Sequence, residues 1–358
     1  MSFNKIYIDE KVEAHPVSLR IIKKLGGKAT PITDIKEIKS NGDEYEDTLI
    51  LTRHEGRLVK RCPGTKNHIC CNYHVINQVL GCDIGCTYCI LRGYLNAPGT
   101  VINVNIEDTF DRVEKILSRP RKYIYRVGTG ELADSFYLDD ITRFAGTFVE
   151  FFSAKDGAIF ELKTKSDRID PVLGLDHKGK TVISWSLNAP SQAESEEGAA
   201  PDVYLRLDAA RRASEAGYFI GFHFDPIIYF DNWEEEYQKV AGAIFDYVDP
   251  KKILWISLGT LRYPPSLEKI IRERHPKSKI TCGESFPGGD NKMRYLKPLR
   301  IKMYKEVAGA IRDRAPGTFV YLCMERKDVW EKVFGAAPEN NARLDRMFHE
   351  MLREKWLR

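Results

Sequence analysis

The chain has 358 residues, 43% of them apolar, which is ordinary for a globular protein with a sizeable core and allows one large α/β domain or two modest ones. No run approaches the roughly 18 apolar residues of a membrane span, and the opening MSFNKIYIDEK has no apolar leader core, so neither a span nor a secretory signal is expected. A net charge of +4 permits an anionic partner such as nucleic acid without demanding one, and eight cysteines without an export signal point to metal and redox chemistry in the cytoplasm.

Residues 1–72 read as a small N-terminal α/β layer. Ile6-Tyr7-Ile8 and Leu49-Ile50-Leu51-Thr52 have strand character, Ser18 to Leu25 is a helix ended by Gly26 and Gly27, and Lys39 to Glu46 is a polar loop. The stretch RCPGTKNHICCNYH then supplies Cys62, Cys70 and Cys71. Adjacent cysteines rarely bridge each other, because the geometry is strained. These thiols are either small buried apolar groups, or neighbours of an active site or ligands of a second cluster.

From Tyr73 a strand–helix alternation sets in, and residues 73–280 form the central unit. The expected strands are His74 to Leu80, Tyr123 to Val127, Ala158 to Leu162, Thr181 to Trp185, Tyr218 to Phe224 and Ile253 to Leu258. The expected helices are Ile106 to Leu117 with Asn105 as N-cap, Leu138 to Phe152, Pro201 to Ala216, Trp233 to Val248 and Leu267 to Arg274. Such alternation argues for an α/β fold of parallel strands with helical crossovers. Residues 281–358 are a C-terminal extension, with a further strand at Thr318 to Cys323 and a helix at Ala342 to Leu357. That helix carries an apolar stripe of Leu344, Met347, Phe348, Met351 and Leu352.

Between the first expected strand and its helix lies GCDIGCTYCIL, with Cys82, Cys86 and Cys89 in a C-x3-C-x2-C triplet. Three thiolates on one short loop can converge on one soft metal centre, and thiolates ligate both zinc and iron–sulfur clusters. Zinc would need a fourth ligand such as Cys71 or His74, and no second cysteine pair follows. Three cysteines on a 4Fe-4S cluster would leave one iron open. This spacing, with the aromatic Tyr88 before the last cysteine, resembles the radical S-adenosylmethionine (SAM) superfamily. That resemblance implies a 4Fe-4S cluster on Cys82, Cys86 and Cys89, SAM on the open iron, and a partial (β/α)6 barrel with the small N-terminal layer and C-terminal extension added.

The other polar candidates fall just after strands, where barrel enzymes place their chemistry. In Gly128-Thr129-Gly130-Glu131 the glycines allow close backbone approach to a ligand, and the carboxylate can accept from an ammonium group. The motif resembles the Gly-Gly-Glu segment that holds the SAM amino group in radical SAM proteins, and Ser135 lies in the same loop. Lys165 can reach a SAM carboxylate, and Ser186 and Asn188 can bond its ribose or carboxylate. Asp225, before Pro226, is either a turn former or a contact to substrate or cofactor. In Asn291 to Lys305, Lys292, Arg294, Lys297, Arg300, Lys302 and Lys305 interleave with Tyr295 and Tyr304, a pattern for phosphates and bases or for a solvated helix face. Cys323 in VYLCME is a core cysteine or a hydrogen-atom donor, and Cys282 carries a weaker form of the same ambiguity.

The likeness narrows further. IYIDEKVEAHP, GCDIGCTYC, ELKTKSD, HKGKTVISWSLNA, AGYFIGFHFDPIIYFDNWEEEY and KMRYLK resemble, in order, segments of the spore photoproduct lyase family of DNA-repair enzymes. That implies damaged or modified DNA as substrate and a reductant such as flavodoxin or ferredoxin. Two residues depart from the family. Its radical-quenching cysteine after the second strand has no counterpart in GTGELADS, where Glu131 stands near the slot, and its tyrosine after the third cluster cysteine is Ile90 here. Cys71, Cys323, Tyr88 and Tyr295 are the candidate substitutes. Radical chemistry on a nucleotide, sugar or other metabolite is one alternative, and a non-catalytic nucleic-acid-binding metal protein is another.

Overall fold

The computed structural model describes residues 3–38, 47–82, 84–95 and 97–356. The polar loop expected over 39–46 lies outside them. The first strands are β1 (Lys5–Asp9), β2 (Thr30–Ile32), β3 (Thr48–Thr52) and β4 (Val59–Arg61). The run expected as one strand, His74 to Leu80, is two: β5 (His74–Ile76) and β6 (Val79–Leu80). The buried polar pair between them is the reason. Asn77 O accepts from Asn103 Nδ2 at 2.8 Å, and Gln78 Oε1 accepts from Thr109 Oγ1 at 2.6 Å, so the chain turns from one sheet into another. β7 (Thr100–Asn103) then completes a five-stranded N-terminal sheet of order β2-β1-β3-β7-β6. This sheet draws β6 and β7 from beyond residue 72.

The central sheet adds β8 (Tyr125–Thr129), β9 (Ala158–Thr164), β10 (Thr181–Ser186), β11 (Phe219–Ile227) and β12 (Ile253–Thr260). A small antiparallel sheet follows, made of β13 (Arg262–Tyr263), β14 (Phe286–Pro287) and β15 (Met293–Arg294), and then comes β16 (Val320–Leu322). The central order is β16-β12-β11-β10-β9-β8-β5-β4, with every pair parallel except β4 with β5. It is the expected partial barrel, extended by the short β16. β12 is buried at every position, as a strand covered on both faces must be.

Helices Ile106–Leu117, Phe144–Ser153, Val203–Glu215, Trp233–Tyr247 and Pro265–Arg274 form the crossovers. Two local expectations are corrected. Asn105 sits at the N-cap, but its Oδ1 accepts from His54 N at 3.2 Å rather than from the helix. The helix expected over 138–152 breaks at Arg143, whose φ is 54°, and the Asp139 carboxylate spans the break by accepting from Ala145 N at 2.8 Å.

A barrel with free edges needs a seal. The loop joining β4 to β5 crosses from that edge to the chain just after β16. Ile69 N donates to Glu325 O at 2.9 Å, and Cys70 N donates to Asn341 Oδ1 at 2.9 Å. The helix Asn341–Lys355 lies across the same opening. Phe348 packs edge-on against Trp255, Phe319 and Tyr321, while the Arg126 guanidinium lies 3.4 Å over its ring. Among the described residues no helix is long and apolar enough to cross a membrane.

Candidate active site

The cysteine loop is fixed to the barrel rim by backbone bonds on both sides. Thr87 N donates to Glu196 O at 2.8 Å, Ala199 N to Ile84 O at 2.7 Å, and Gly81 N to Leu132 O at 2.8 Å. Gly198 has φ of 50°, and a Cβ there would lie 2.1 Å from Ile84 O, so this contact requires glycine. Cys86 is buried, and Cys82 and Cys89 are half-buried. Burial pushes the Cys86 thiol up to about 12, against the opposing pull of Lys165. Burial, then the Asp134 charge, also raises Cys82.

Around this loop lies a buried ionic group that sequence reasoning only half found. Lys165, at the end of β9, sits beside Cys86 and 5.6 Å over the Tyr88 ring. The Tyr88 hydroxyl donates to Glu197, which also accepts from Asn188 Nδ2 at 3.1 Å and pairs with Arg206 at 2.6 Å. Burial opposes the Glu197 charge, but Lys165 and Arg206 outweigh it and hold the carboxylate below its ordinary range. Arg206 also donates to Ser186 O at 3.1 Å, which fixes the end of β10. Asn188 is 1% exposed, and its Oδ1 accepts from the Tyr237 hydroxyl at 2.5 Å, so its side chain is occupied by protein. Glu197 stands in ESEEG, which reads as a solvated acidic run; no local signal marks it as buried.

The Gly128 to Glu131 segment is explained by neighbouring protein. A Cβ on Gly128 would lie 2.0 Å from the Tyr73 hydroxyl, and one on Gly130 would lie 2.5 Å from Lys163 O. The side of each glycine on which a Cβ would stand is thus packed against protein. Glu131 pairs with Lys163, and Ser135 Oγ lies 2.7 Å from Thr129 Oγ1. Asp134, unremarked in the sequence, organises the same loop: it accepts from Thr164 Oγ1 and Lys165 N, both at 2.7 Å.

Inside the barrel, Glu161 on β9 accepts from Ser184 Oγ at 2.5 Å and Trp255 Nε1 at 3.2 Å, and lies 2.9 Å from His223 Nε2. Burial opposes its charge, yet His223 and these bonds carry the carboxyl down to about 2. A lone Glu within the apolar strand AIFELKT was the available signal.

Four of the remaining thiols neighbour one another, and Cys282 is exposed. Asp225 binds Arg262 through both oxygens at 2.9 Å, and Arg262 Nη2 lies 3.6 Å from Cys323 Sγ. Cys71 is near enough to Cys62, Cys70 and Cys323 for its charge to act on each. Burial, then Asp225, raises Cys323 well above the ordinary thiol range, and burial raises Cys62 to about 11. None of the eight cysteines is in a disulfide. Among the described residues no three Cys, His, Asp or Glu side chains already converge on a metal position. The alternative zinc ligands are elsewhere: Cys71 belongs to this second thiol group, and His74 packs edge-on against Tyr125 at 5.5 Å.

Four cations of the basic segment find carboxylate partners, while Lys297, Lys302 and Lys305 stay exposed. Arg294 pairs with Asp290 at 2.5 Å, Lys297 with Asp328 at 2.9 Å, Arg300 with Glu325 at 2.8 Å, and Lys302 with Glu234. Tyr304 is 1% exposed, and the buried Tyr295 hydroxyl accepts from Tyr229 N at 3.1 Å, so neither ring is open to a base.

Known proteins agree with this architecture. Residues 67–303 match the family model described as spore photoproduct lyase. The chain is 28% identical over 215 residues to a Geobacillus spore photoproduct lyase and 26% identical over 215 residues to that of Bacillus subtilis. Each match covers 59% of this chain and 63% of the relative, so the chain spans under two thirds of those proteins. A Clostridium acetobutylicum spore photoproduct lyase is 25% identical over 290 residues, covering 78% of this chain and 84% of the relative. A solved spore photoproduct lyase mutant with bound AdoMet and dinucleoside spore photoproduct has a TM-score of 0.80 at 22% identity, covering 90% of this chain and all of that one. From its ordered cysteine loop to its partial barrel, this chain belongs to the spore photoproduct lyase family.

Proposed function

We propose that this chain is a radical SAM enzyme that reverses a thymine lesion of the spore photoproduct type in DNA. The observation that carries the reading is the cysteine loop itself, three free thiols on the barrel rim with the Lys165 ammonium beside Cys86. The donor set suits a 4Fe-4S cluster: soft sulfur ligands, one fewer than the irons, in a pinned loop. Cys82, Cys86 and Cys89 would hold that cluster. When bound, cluster and SAM supply a one-electron cleavage that yields a 5′-deoxyadenosyl radical able to take a hydrogen atom from the lesion.

The chain's own residues do the rest. Lys165 offers a cation to the SAM carboxylate, while Glu197, Tyr88 and Arg206 keep that cation and the loop in place. Ser186, Asp225 and the Gly128 to Ser135 loop border the same rim. Glu161 and His223 stiffen the barrel interior beneath it. Cys323 is held as a protonated thiol, the form a hydrogen-atom donor requires, and Cys71 neighbours it. These two stand in for the family cysteine that is absent near Glu131. Support for the lesion comes from solved family members complexed with dinucleoside spore photoproduct. A flavodoxin or ferredoxin as electron donor and a cytoplasmic location complete the reading.

The test is an anaerobic assay of reconstituted protein with SAM, dithionite and dinucleoside spore photoproduct, followed by mass spectrometry. Both 5′-deoxyadenosine and thymidine are expected. 5′-Deoxyadenosine without thymidine would overturn the lesion assignment, and absence of both would overturn the radical SAM assignment.

A further inference from the structure

A cleft of about 740 Å³ opens on the flank of the barrel, between β4, β5, the start of β8 and the helix Ile106–Leu117. No cysteine lines it. Six cations do: Arg57, Lys60, Arg61, Arg112, Arg119 and Arg121. The one carboxylate in the wall is Asp345, which is already committed to Arg121 at 2.5 Å and to Asn72 Nδ2 at 3.3 Å. The other five cations have no carboxylate partner among the described residues. The mutual repulsion of so many like charges is unfavourable unless something negative enters.

A second observation points the same way. His74 lines the cleft, is 6% exposed, and its Nδ1 has no hydrogen-bond partner among the described residues. Arg112 Nε and Arg121 Nη1 are buried and unsatisfied in the same wall. Buried polar atoms are normally paired, and a guanidinium can only donate. What the cleft lacks is a set of acceptor oxygens carrying several negative charges. Clustered guanidinium forks match phosphate geometry, and the volume suits a ligand with more than one phosphate.

We propose that this cleft binds the phosphate groups of a multiply charged anion, supplied either by a free polyphosphate or by a nucleic-acid backbone. The site is independent of the reading of the cysteine loop. It is tested with the full-length protein by titrating tripolyphosphate and, separately, a lesion-free DNA duplex at two salt concentrations. Wild type is compared with the double variant Arg61→Gln/Arg119→Gln. Both side chains are exposed, so equal melting temperatures are expected of the two proteins. Tripolyphosphate binding weakened about a hundredfold in the variant, two charged contacts being lost, supports the site with a free phosphate compound as ligand. Duplex binding that weakens and becomes less salt-dependent in the variant, without tripolyphosphate binding, supports it with nucleic acid as ligand. Failure of both probes to bind, or equal binding by wild type and variant, overturns it.

Discussion

Cys82, Cys86 and Cys89 form one thiol group, and Cys62, Cys70, Cys71 and Cys323 form another, yet they are assembled in opposite ways. The first comes from one loop of eight residues, held by backbone bonds to the segment Glu196–Ala199. The second is gathered from the β4–β5 loop and from the end of β16, where Ile69 N donates to Glu325 O and Cys70 N to Asn341 Oδ1 across the barrel opening. The triplet also has a cation, Lys165, beside it, whereas Cys323 feels both Arg262 and the opposing charge of Asp225. Local spacing suits a group that must deliver thiolates to a metal. Tertiary assembly suits one that must meet a product at a chosen place.

The largest expected effect separates the groups outright. Cys86→Ala should abolish 5′-deoxyadenosine formation and lower iron and sulfide content. Retained cleavage would mean that the triplet is not the metal centre. Next, Lys165→Ala should raise the KM for SAM by roughly tenfold to a hundredfold, the worth of one charged hydrogen bond, and a change in kcat alone would count against that role. Cys323→Ser and Cys71→Ser should leave 5′-deoxyadenosine formation intact while the thymidine yield falls about tenfold in at least one of them. If neither yield moves, the second group is structural.

Glu325→Gln should disturb only the second group. It breaks a buried pair with Arg300 and costs roughly 3 kcal/mol, read as a lower melting temperature with unchanged iron content. The smallest effect is one of pH. Glu161 titrates at about 2 in the folded chain against an ordinary 4.5. A depressed carboxylate contributes its stability above about 4.5 and loses it as pH falls toward 2. The amount is roughly 3 kcal/mol. Glu161→Gln should flatten the acid limb of a denaturation series over that window, and an unchanged limb would remove Glu161 as its source.

What could be read in advance follows from the same contrast. The cysteine loop was legible because its ligands share eight residues, and the barrel because each buried strand is short, apolar and bounded by polar residues. The run His74 to Leu80 looked like a single strand because periodicity does not reveal that Asn77 and Gln78 bond to Asn103 and Thr109 in another sheet. The basic segment looked like a nucleic-acid surface because Glu325, Asp328 and Glu234, which pair with Arg300, Lys297 and Lys302, are brought in by the fold. Glu197 and Arg206 were invisible for a related reason. Each is an ordinary surface residue until the other, with Tyr88 and Lys165, makes its burial tolerable.

The seal across the barrel also has a consequence for biosynthesis. The cysteine loop leaves the ribosome long before the helix Asn341–Lys355 that caps the opening is made. For that interval the strand starts around Arg126, Trp255 and Phe319, which Phe348 later covers, stay open to solvent. They lie at the end of the barrel away from Lys165 and the cysteine loop, so this apolar floor is sealed only once synthesis is nearly complete.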